Sequence, residues 1–285
     1  MKIAISGANG YIAKNLILEL QAGHHTIVPI KRDILYNVDL LTELLSDIEV
    51  VINLAGAPIL QRWTATNRNE ILRSRIETTL NIVIAINGLP DNKKPVAFIS
   101  ASAIGIYSPD AVHTEESTSF ADDFVGEVVK NWEDASADLS PKVRRVIFRI
   151  GLILGKEAKT IQELLPLFKM GLGGKIGSGA QPFPFVHIND VVNAFVWGLQ
   201  NERVRGIYNL VAPDYIDNKT FTHELANSLK RPACFTVPGF TLKLALGEAS
   251  SLILQSPQVK PERLLKEGYV FLFPDIKSCI AEVIT

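Results

Sequence analysis

Residues 6–13, S-G-A-N-G-Y-I-A, combine residue types that hold a phosphate ester through backbone alone. Gly7 permits a tight turn after the strand-like run KIAIS, and Gly10 lets the backbone approach a pyrophosphate. Ala13 is small enough for a following helix to lie on a sheet, and that helix would turn its unpaired N-terminal amides toward the anion. A G-x-x-G match is weak by itself, but its position between a strand and a helix predicts a dinucleotide site. The next strand-like run, HTIVPI, ends in Lys31-Arg32-Asp33. An acidic residue at that strand end would hydrogen-bond the ribose hydroxyl of NAD, whereas Lys31 and Arg32 would attract the 2′-phosphate of NADP. The expected cofactor is therefore NADP(H); Asp33 is the feature that favours NAD, and two solvated surface cations are the plain alternative.

Such a site needs a framework. The first 150 residues alternate strand-like and helical segments: KIAIS, YIAKNLILELQAG ending at Gly23, HTIVPI, EVVINLAG, a helical stretch from about Asn67 to Ile86, PVAFISAS, FADDFVGEVVKNWEDA and KVRRVIFRIG. The alternation predicts an α/β fold, a Rossmann-like doubly wound parallel sheet. One link is short. Only Lys31 to Asp33 separate the second strand from ILYNV, and a parallel crossover needs about a dozen residues. ILYNV therefore either pairs antiparallel or is not a sheet strand; the favoured reading is a shortened loop with a more open adenosine side. Residues 120–135 read as an amphipathic helix with Phe124, Val125, Val128, Val129, Trp132 and Ala135 on one stripe.

Beyond residue 150 the character changes. GLGGKIGSGAQPFPF (171–185) reads as a loop over a pocket mouth, and NDVVNAFVWGLQN as a helix capped by Asn189 or Asp190. TLKLALGEASSLIL, read as a short helix, with PERLLKEGY and FPDIKSCIAEVI, makes a small, mostly helical C-terminal lobe. The expected division is an NADP-binding Rossmann domain over 1–160, completed by about 183–230, and a substrate-side lobe from 161–182 and 231–285.

Charge is nearly balanced, 29 basic against 30 acidic residues, so no polyanion-binding surface and no nucleic-acid partner are implied, although a local basic patch is compatible with that balance. No apolar run approaches the roughly 20 residues that cross a bilayer, and MKIAISGANG enters a strand at once, leaving no room for a signal peptide. Cys234 and Cys279 lie far apart and form no CxxC. A reducing, cytoplasmic location and a small-molecule partner are expected, with no metal site.

These residues resemble the extended short-chain dehydrogenase/reductase superfamily, in its NAD(P)-dependent epimerase/dehydratase-like branch, over essentially the whole chain. SGANGYIA resembles the T-G-x-x-G-x-I-G turn, which implies that Gly7, Asn9, Gly10, Tyr11 and Ile12 surround the cofactor. Asp39-Leu40 is similar to the adenine-contacting Asp-Leu, and NLAG (53–56) to the N-x-A-G turn, implying Leu54, Ala55 and Gly56. FISAS (98–102) is similar to the serine-bearing strand, with Ser100 on the cofactor side, and FVHINDVVNA (185–194) to the F-x-H-V-x-D-V helix start. A closer likeness joins LAGAPI (54–59), RWT (62–64), SRIETT (74–79), SASAIGIY (100–107), EES (115–117) and LFKMGLGGKIGSGAQ (167–181) to the "epimerase family" subgroup. The likeness implies an NADP(H)-binding Rossmann fold with a C-terminal lobe.

In that superfamily a Y-x-x-x-K helix supplies a tyrosine acid/base, its lysine lowers the tyrosine pKa, and a serine and an asparagine assist. The resemblance carries the serine to Ser102. Counting back from Glu133, it puts the tyrosine position at Val125 and the lysine position at Val129, and the asparagine position at Arg75. Valine neither donates nor accepts a proton. The literal Y-x-x-x-K, Tyr215 to Lys219, follows a late loop and reads as chance. Tyr107, five residues after Ser102, is the substitute acid, or simply packs there. Glu127 and Lys130 share the helix's polar side, either facing the pocket or solvated. Arg75 pairs with a carboxylate or binds an anionic ligand; His187 is a pocket or a structural residue. Trp63 and Arg149 line the pocket and cofactor side, or serve packing and an ion pair. The expected catalytic residues are Ser102 and Tyr107, and the expected pocket is Trp63, Arg75, Glu127 and His187. Two functions remain in view: an NADP(H)-dependent oxidoreductase or epimerase with an unusual proton donor, or needing none beyond Ser102 and water, and a non-catalytic NADPH-binding protein that reports cofactor state or ligand to a partner.

Overall fold

The structure, a computed structural model, describes residues 1–285. The chain runs β1 (Lys2–Ser6), α1 (Tyr11–Ala22), β2 (Thr26–Ile30), α2 (Arg32–Leu35), α3 (Val38–Leu45), β3 (Val50–Asn53), α4 (Ala65–Arg73), α5 (Ile76–Gly88) and β4 (Ala97–Ala103). It continues through β5 (Val112–His113), α6 (Phe124–Asp134), β6 (Arg144–Ile150), β7 (Leu152–Leu154), α7 (Lys159–Lys169), β8 (Gly174–Ile176), β9 (Phe185–His187), α8 (Ile188–Gln200) and β10 (Gly206–Leu210). The last part holds α9 (Asn218–Ser228), β11 (Phe235–Val237), α10 (Gly239–Leu246), α11 (Ser251–Leu254), β12 (Gln258–Val259), α12 (Glu262–Lys266) and α13 (Ile276–Ile284).

Six strands form one parallel sheet in the order β10-β6-β4-β3-β1-β2. Its central strands are buried without alternation because both faces are covered: all four residues of β3 and Ile3 to Ser6 of β1 are buried, apolar except for Asn53 and Ser6 at their ends. On one face Ala13, Leu16 and Leu20 of α1 meet Val191 and Phe195 of α8; on the other, Leu41 and Leu45 of α3 meet Ile82, Val83 and Ile86 of α5. The chain leaves β1 for β2 on one side and crosses back to β3 on the other, which opens a crevice at the carboxyl ends of β1 and β3. No helix is long and apolar enough to cross a membrane.

Several local expectations are corrected. Of the two readings of ILYNV, it is the one without a sheet strand that holds: the segment closes α2 and opens α3, where the Asn37 side chain accepts the Leu40 amide as a cap. The link to β3 is therefore two short helices rather than a shortened loop, long enough for a parallel crossover. The helix expected over 67–86 breaks between α4 and α5 because Ser74 and Arg75 turn to the loop after β3. Ser74 Oγ accepts the Ala57 amide at 2.9 Å, and Arg75 donates to the Ala57 carbonyl at 2.9 Å. Helix α8 is capped by His187, whose Nδ1 accepts from the Asn189 amide, and not by Asn189 or Asp190. The buried Asp190 carboxylate instead accepts the amides of Leu272 and Phe273, at 2.6 and 3.0 Å. TLKLALGEASSLIL is interrupted at Gly247, which has φ 63°.

The C-terminal segments attach through short parallel pairs, β8 with β11 and β5 with β12, and through α13. Cys279 and Ile280 of α13 share a core with Phe221 and Leu225 of α9.

Candidate functional site

At the switch point Gly7 has φ 66°, and a side-chain carbon there would sit 2.5 Å from the Leu54 carbonyl oxygen. Gly10 caps α1 in an extended conformation, with no side-chain cap and no acidic residue in the first turn. The first amides of a 12-residue helix are thus left for an anion, and the turn fits a pyrophosphate. Asn9 and Gly10 are exposed around it, and Tyr11 and Ile12 are half-buried. Across the crevice the amides of Leu54 and Ala55 donate to Ser6 Oγ at 3.0 and 3.1 Å, and Gly56 is exposed. Beyond β2, Lys31, Asp39 and Leu40 are exposed. Lys31 has no ion-pair partner, whereas Arg32 pairs with Glu70. Ser100 does not reach this surface; it is buried, accepting from Asn53 and donating to the Ala101 carbonyl.

A cavity of about 600 Å³ lies beyond the carboxyl ends of β3, β4 and β6. Ile59, Leu60, Ala103, Ile104, Ile150 and Leu152 wall it from the sheet side, and Phe183, Leu242, Leu246 and Leu252 from the C-terminal lobe. Lys159, Thr160, Glu163 and Leu164 of α7 also line it, and a further wall is α6. That helix starts at Asp123, whose side chain accepts the Gly126 amide at 2.8 Å, and presents Val125, Val128, Val129 and Trp132 to the interior. The packing is close: a side-chain carbon on Gly105 would lie 2.6 Å from Val125 Cγ1. The positions that resemble a tyrosine and a lysine are thus two buried valines facing the cavity. Glu127 and Lys130 point away; both are exposed, and Lys130 pairs with Asp134. Glu127 is therefore no part of the cavity wall, because the apolar stripe takes the inward face.

Beneath the cavity runs a buried polar network. Glu133 accepts Ser102 Oγ at 2.6 Å, Arg149 Nε at 2.8 Å and Arg149 Nη2 at 2.6 Å. Arg149 Nη1 donates to the Tyr107 hydroxyl at 2.7 Å, and that hydroxyl can donate to Asn209 Oδ1 at 2.8 Å or the Thr114 carbonyl at 3.0 Å. Burial would lower the Arg149 pKa, but the bond and charge of Glu133 outweigh it and hold the guanidinium firmly charged. Burial pushes the Tyr107 phenol up, against the pull of Arg149. An acid/base tyrosine needs the opposite shift. Both hydroxyl groups expected to carry catalysis are committed to the network, and Arg149 serves an ion pair rather than the cofactor side.

The other expected pocket residues divide. Arg75 lines the cavity. His187 is fully buried, its Nε2 2.8 Å from Glu282 and its ring 3.9 Å from that of Phe273, away from the cavity. Trp63 packs edge-on to Phe124 at 5.0 Å and bonds the Ile59 carbonyl behind the wall. Sequence reasoning missed Asn209, and used Glu133 only as a landmark. The available signal was Arg149 inside the apolar strand VIFRIG, since a buried guanidinium demands a carboxylate. At the opposite edge of the sheet a shallow cleft carries Lys142, Arg144, Arg145, Arg205 and Arg263. Arg144 and Arg263 cap backbone carbonyls there, and Lys142 pairs with Asp91.

A six-stranded parallel sheet, a bare glycine turn at its switch point and a cavity beyond the same strand ends define a dinucleotide-binding α/β protein of the extended short-chain dehydrogenase/reductase class. The chain belongs to the NAD dependent epimerase/dehydratase family, whose model matches residues 3–210. Residues 237–283 match a domain of unknown function, DUF1731. Epimerase family protein SDR39U1 of Bos taurus is 34% identical over 295 residues and covers both chains completely. A chloroplastic homologue from Arabidopsis thaliana is 31% identical, covering 99% of this chain and 86% of its own. The crystal structure of human epimerase family protein SDR39U1 (isoform 2) with NADPH superposes with a TM-score of 0.91 at 30% identity, over 99% of each chain. A dTDP-4-dehydrorhamnose reductase from Clostridium acetobutylicum shares the fold, with a TM-score of 0.80 at 15% identity over 100% of this chain and 98% of its own. The chain is an NAD(P)-binding, epimerase-like protein.

Proposed function

We propose that this protein binds NADP(H) and acts as an oxidoreductase or epimerase on a small molecule held in the α6 cavity, without the family's tyrosine–lysine pair. The observation that carries the reading is the placement of Val125 and Val129 on the wall of a partly open, largely apolar cavity at the carboxyl side of the sheet, the side that also bears the glycine turn. Bound NADP(H) would supply or accept a hydride at its nicotinamide. The chain's residues would hold the reactants and exclude water: Gly7 and Gly10 seat the pyrophosphate, Lys31 attracts the 2′-phosphate, and Ile104, Val125 and Val129 keep the cavity dry. Any proton then comes from the ligand or from water at the cavity mouth. The cytoplasmic placement belongs to this proposal and rests on two free cysteines, Cys234 exposed and Cys279 buried.

A second reading is favoured by one observation. Ser102 and Tyr107 have their hydroxyls locked by Glu133, Arg149 and Asn209, which suits a protein that binds NADPH and reports it without turnover. Single-turnover oxidation of bound NADPH across a panel of small carbonyl compounds and sugar nucleotides separates the two. Oxidation with at least one of them is expected, at a rate that does not follow a tyrosine-like ionisation. Stoichiometric binding with no oxidation across the panel would establish the second reading.

The cofactor preference has its own test. A cation bonded to a phosphate contributes about 1.5–3 kcal/mol, so Lys31→Ala should weaken NADPH binding by roughly tenfold or more and leave NADH nearly unchanged. Arg32→Ala should do less, because Glu70 already holds Arg32. An equal loss for both cofactors would contradict the preference.

A further inference from the structure

The charged side chains on the cavity wall are Arg75, Asp123, Lys159 and Glu163. Asp123 caps α6, and Lys159 and Glu163 pair with each other at 3.7 Å. Arg75 has no carboxylate partner. Its guanidinium donates to the backbone carbonyls of Ile71 at 3.2 Å and Ala57 at 2.9 Å, and lies 5.3 Å from the centre of the Trp132 ring. Two of its five N–H donors are therefore used by neutral acceptors. Burial pulls its pKa down to about 10, so the side chain remains charged at neutral pH. A charge partly withdrawn from water beside apolar walls is favoured by an opposite charge that meets it. No residue of the chain supplies that charge.

We propose that Arg75 docks the carboxylate of a ligand whose remainder is apolar and lies against Val125, Val129 and Leu252. The inference rests on the reading of the cavity as a ligand site. A volume near 600 Å³ suits a small organic molecule. One planar fork matches one carboxylate. The anion could instead be a phosphate of the cofactor, because Arg75 also lies against Gly56: a side-chain carbon on Gly56 would sit 3.1 Å from Arg75 Cζ.

The test uses the full chain, with NADPH binding to the unaltered protein measured first. Absence of that binding defeats the proposed function and is read separately from the carboxylate titrations. The NADPH-saturated protein is then titrated with 3-phenylpropanoate and octanoate, and with the corresponding neutral amides, by calorimetry and tryptophan fluorescence. The carboxylates are expected to bind about tenfold tighter than the amides, a difference that Arg75→Met abolishes and Arg75→Lys partly keeps. NADPH affinity should move by less than about threefold in both variants, which also shows that they fold. Three results would overturn the proposal: amides binding as well as carboxylates, no binding of either, or an Arg75→Met variant that loses NADPH affinity and keeps the carboxylate preference. The last would assign the anion to the cofactor.

Discussion

Glu133→Ala should lower the unfolding free energy by about 3–5 kcal/mol, the loss expected when one partner of a buried ion pair is removed. The side chains of Arg149 and Glu133 are 4% and 9% exposed, and Glu133 is the acceptor for two nitrogens of Arg149 as well as for Ser102. Alanine would strand the guanidinium in the core and free Ser102 Oγ. In a chain of this size the melting temperature should fall by roughly 10 °C, and the denaturant midpoint should fall with little change in slope. The double variant Glu133→Leu/Arg149→Met should recover part of the loss, since two apolar side chains leave no unpaired charge. A single-variant loss below about 1 kcal/mol would mean a solvated pair. The same experiment distinguishes structure from chemistry: with Tyr107 and Ser102 acting as struts of this network, NADPH affinity should change little in any variant that remains folded.

Gly7→Val should remove cofactor binding while sparing more of the fold. Two costs coincide. A β-branched residue at φ 66° pays about 1–2 kcal/mol for its handedness, and its first side-chain carbon would overlap the Leu54 carbonyl, 2.5 Å away. The turn must then move away from β3, which displaces the amides around Gly10 from a shared anion. NADPH affinity is expected to fall by at least about a hundredfold, near 2.7 kcal/mol, measured by titration. A valine variant that binds within about threefold of the parent would place the cofactor elsewhere.

The parallel sheet was legible because buried strands read as short apolar runs, IAI (3–5) and VVI (50–52) among them, separated by helical stripes. The glycine turn was legible because Gly7 and Gly10 have backbone roles that few other residues perform. Elements set by tertiary hydrogen bonds were not. The break at Ser74-Arg75 answers to Ala57, 17 and 18 residues away in sequence. His187 Nδ1 takes the Asn189 amide and caps α8, while the Asp190 carboxylate is drawn instead to Leu272 and Phe273. ILYNV carries strand-like residue types, yet Asn37, its fourth residue, caps a helix. For the candidate site, the inward stripe of α6 gave Val125 and Val129 by periodicity alone. The fate of the Ser102 hydroxyl depended on Glu133 of α6, and that of the Tyr107 hydroxyl on Arg149 of β6 and Asn209 of β10, which spacing along the chain does not encode.

On the proposed function, cofactor binding persists without the tyrosine–lysine chemistry of the wider class. An experimental structure of this protein with NADPH decides the matter through the distances around the nicotinamide C4 atom. Pyrophosphate is expected on the Gly7–Gly10 turn, with the C4 face toward Val125, Val129 and the cavity. No hydroxyl, amine or imidazole of the chain is expected within about 3.2 Å of the position a reacting oxygen would take. A tyrosine, serine, lysine or histidine group reaching that position would contradict the proposal.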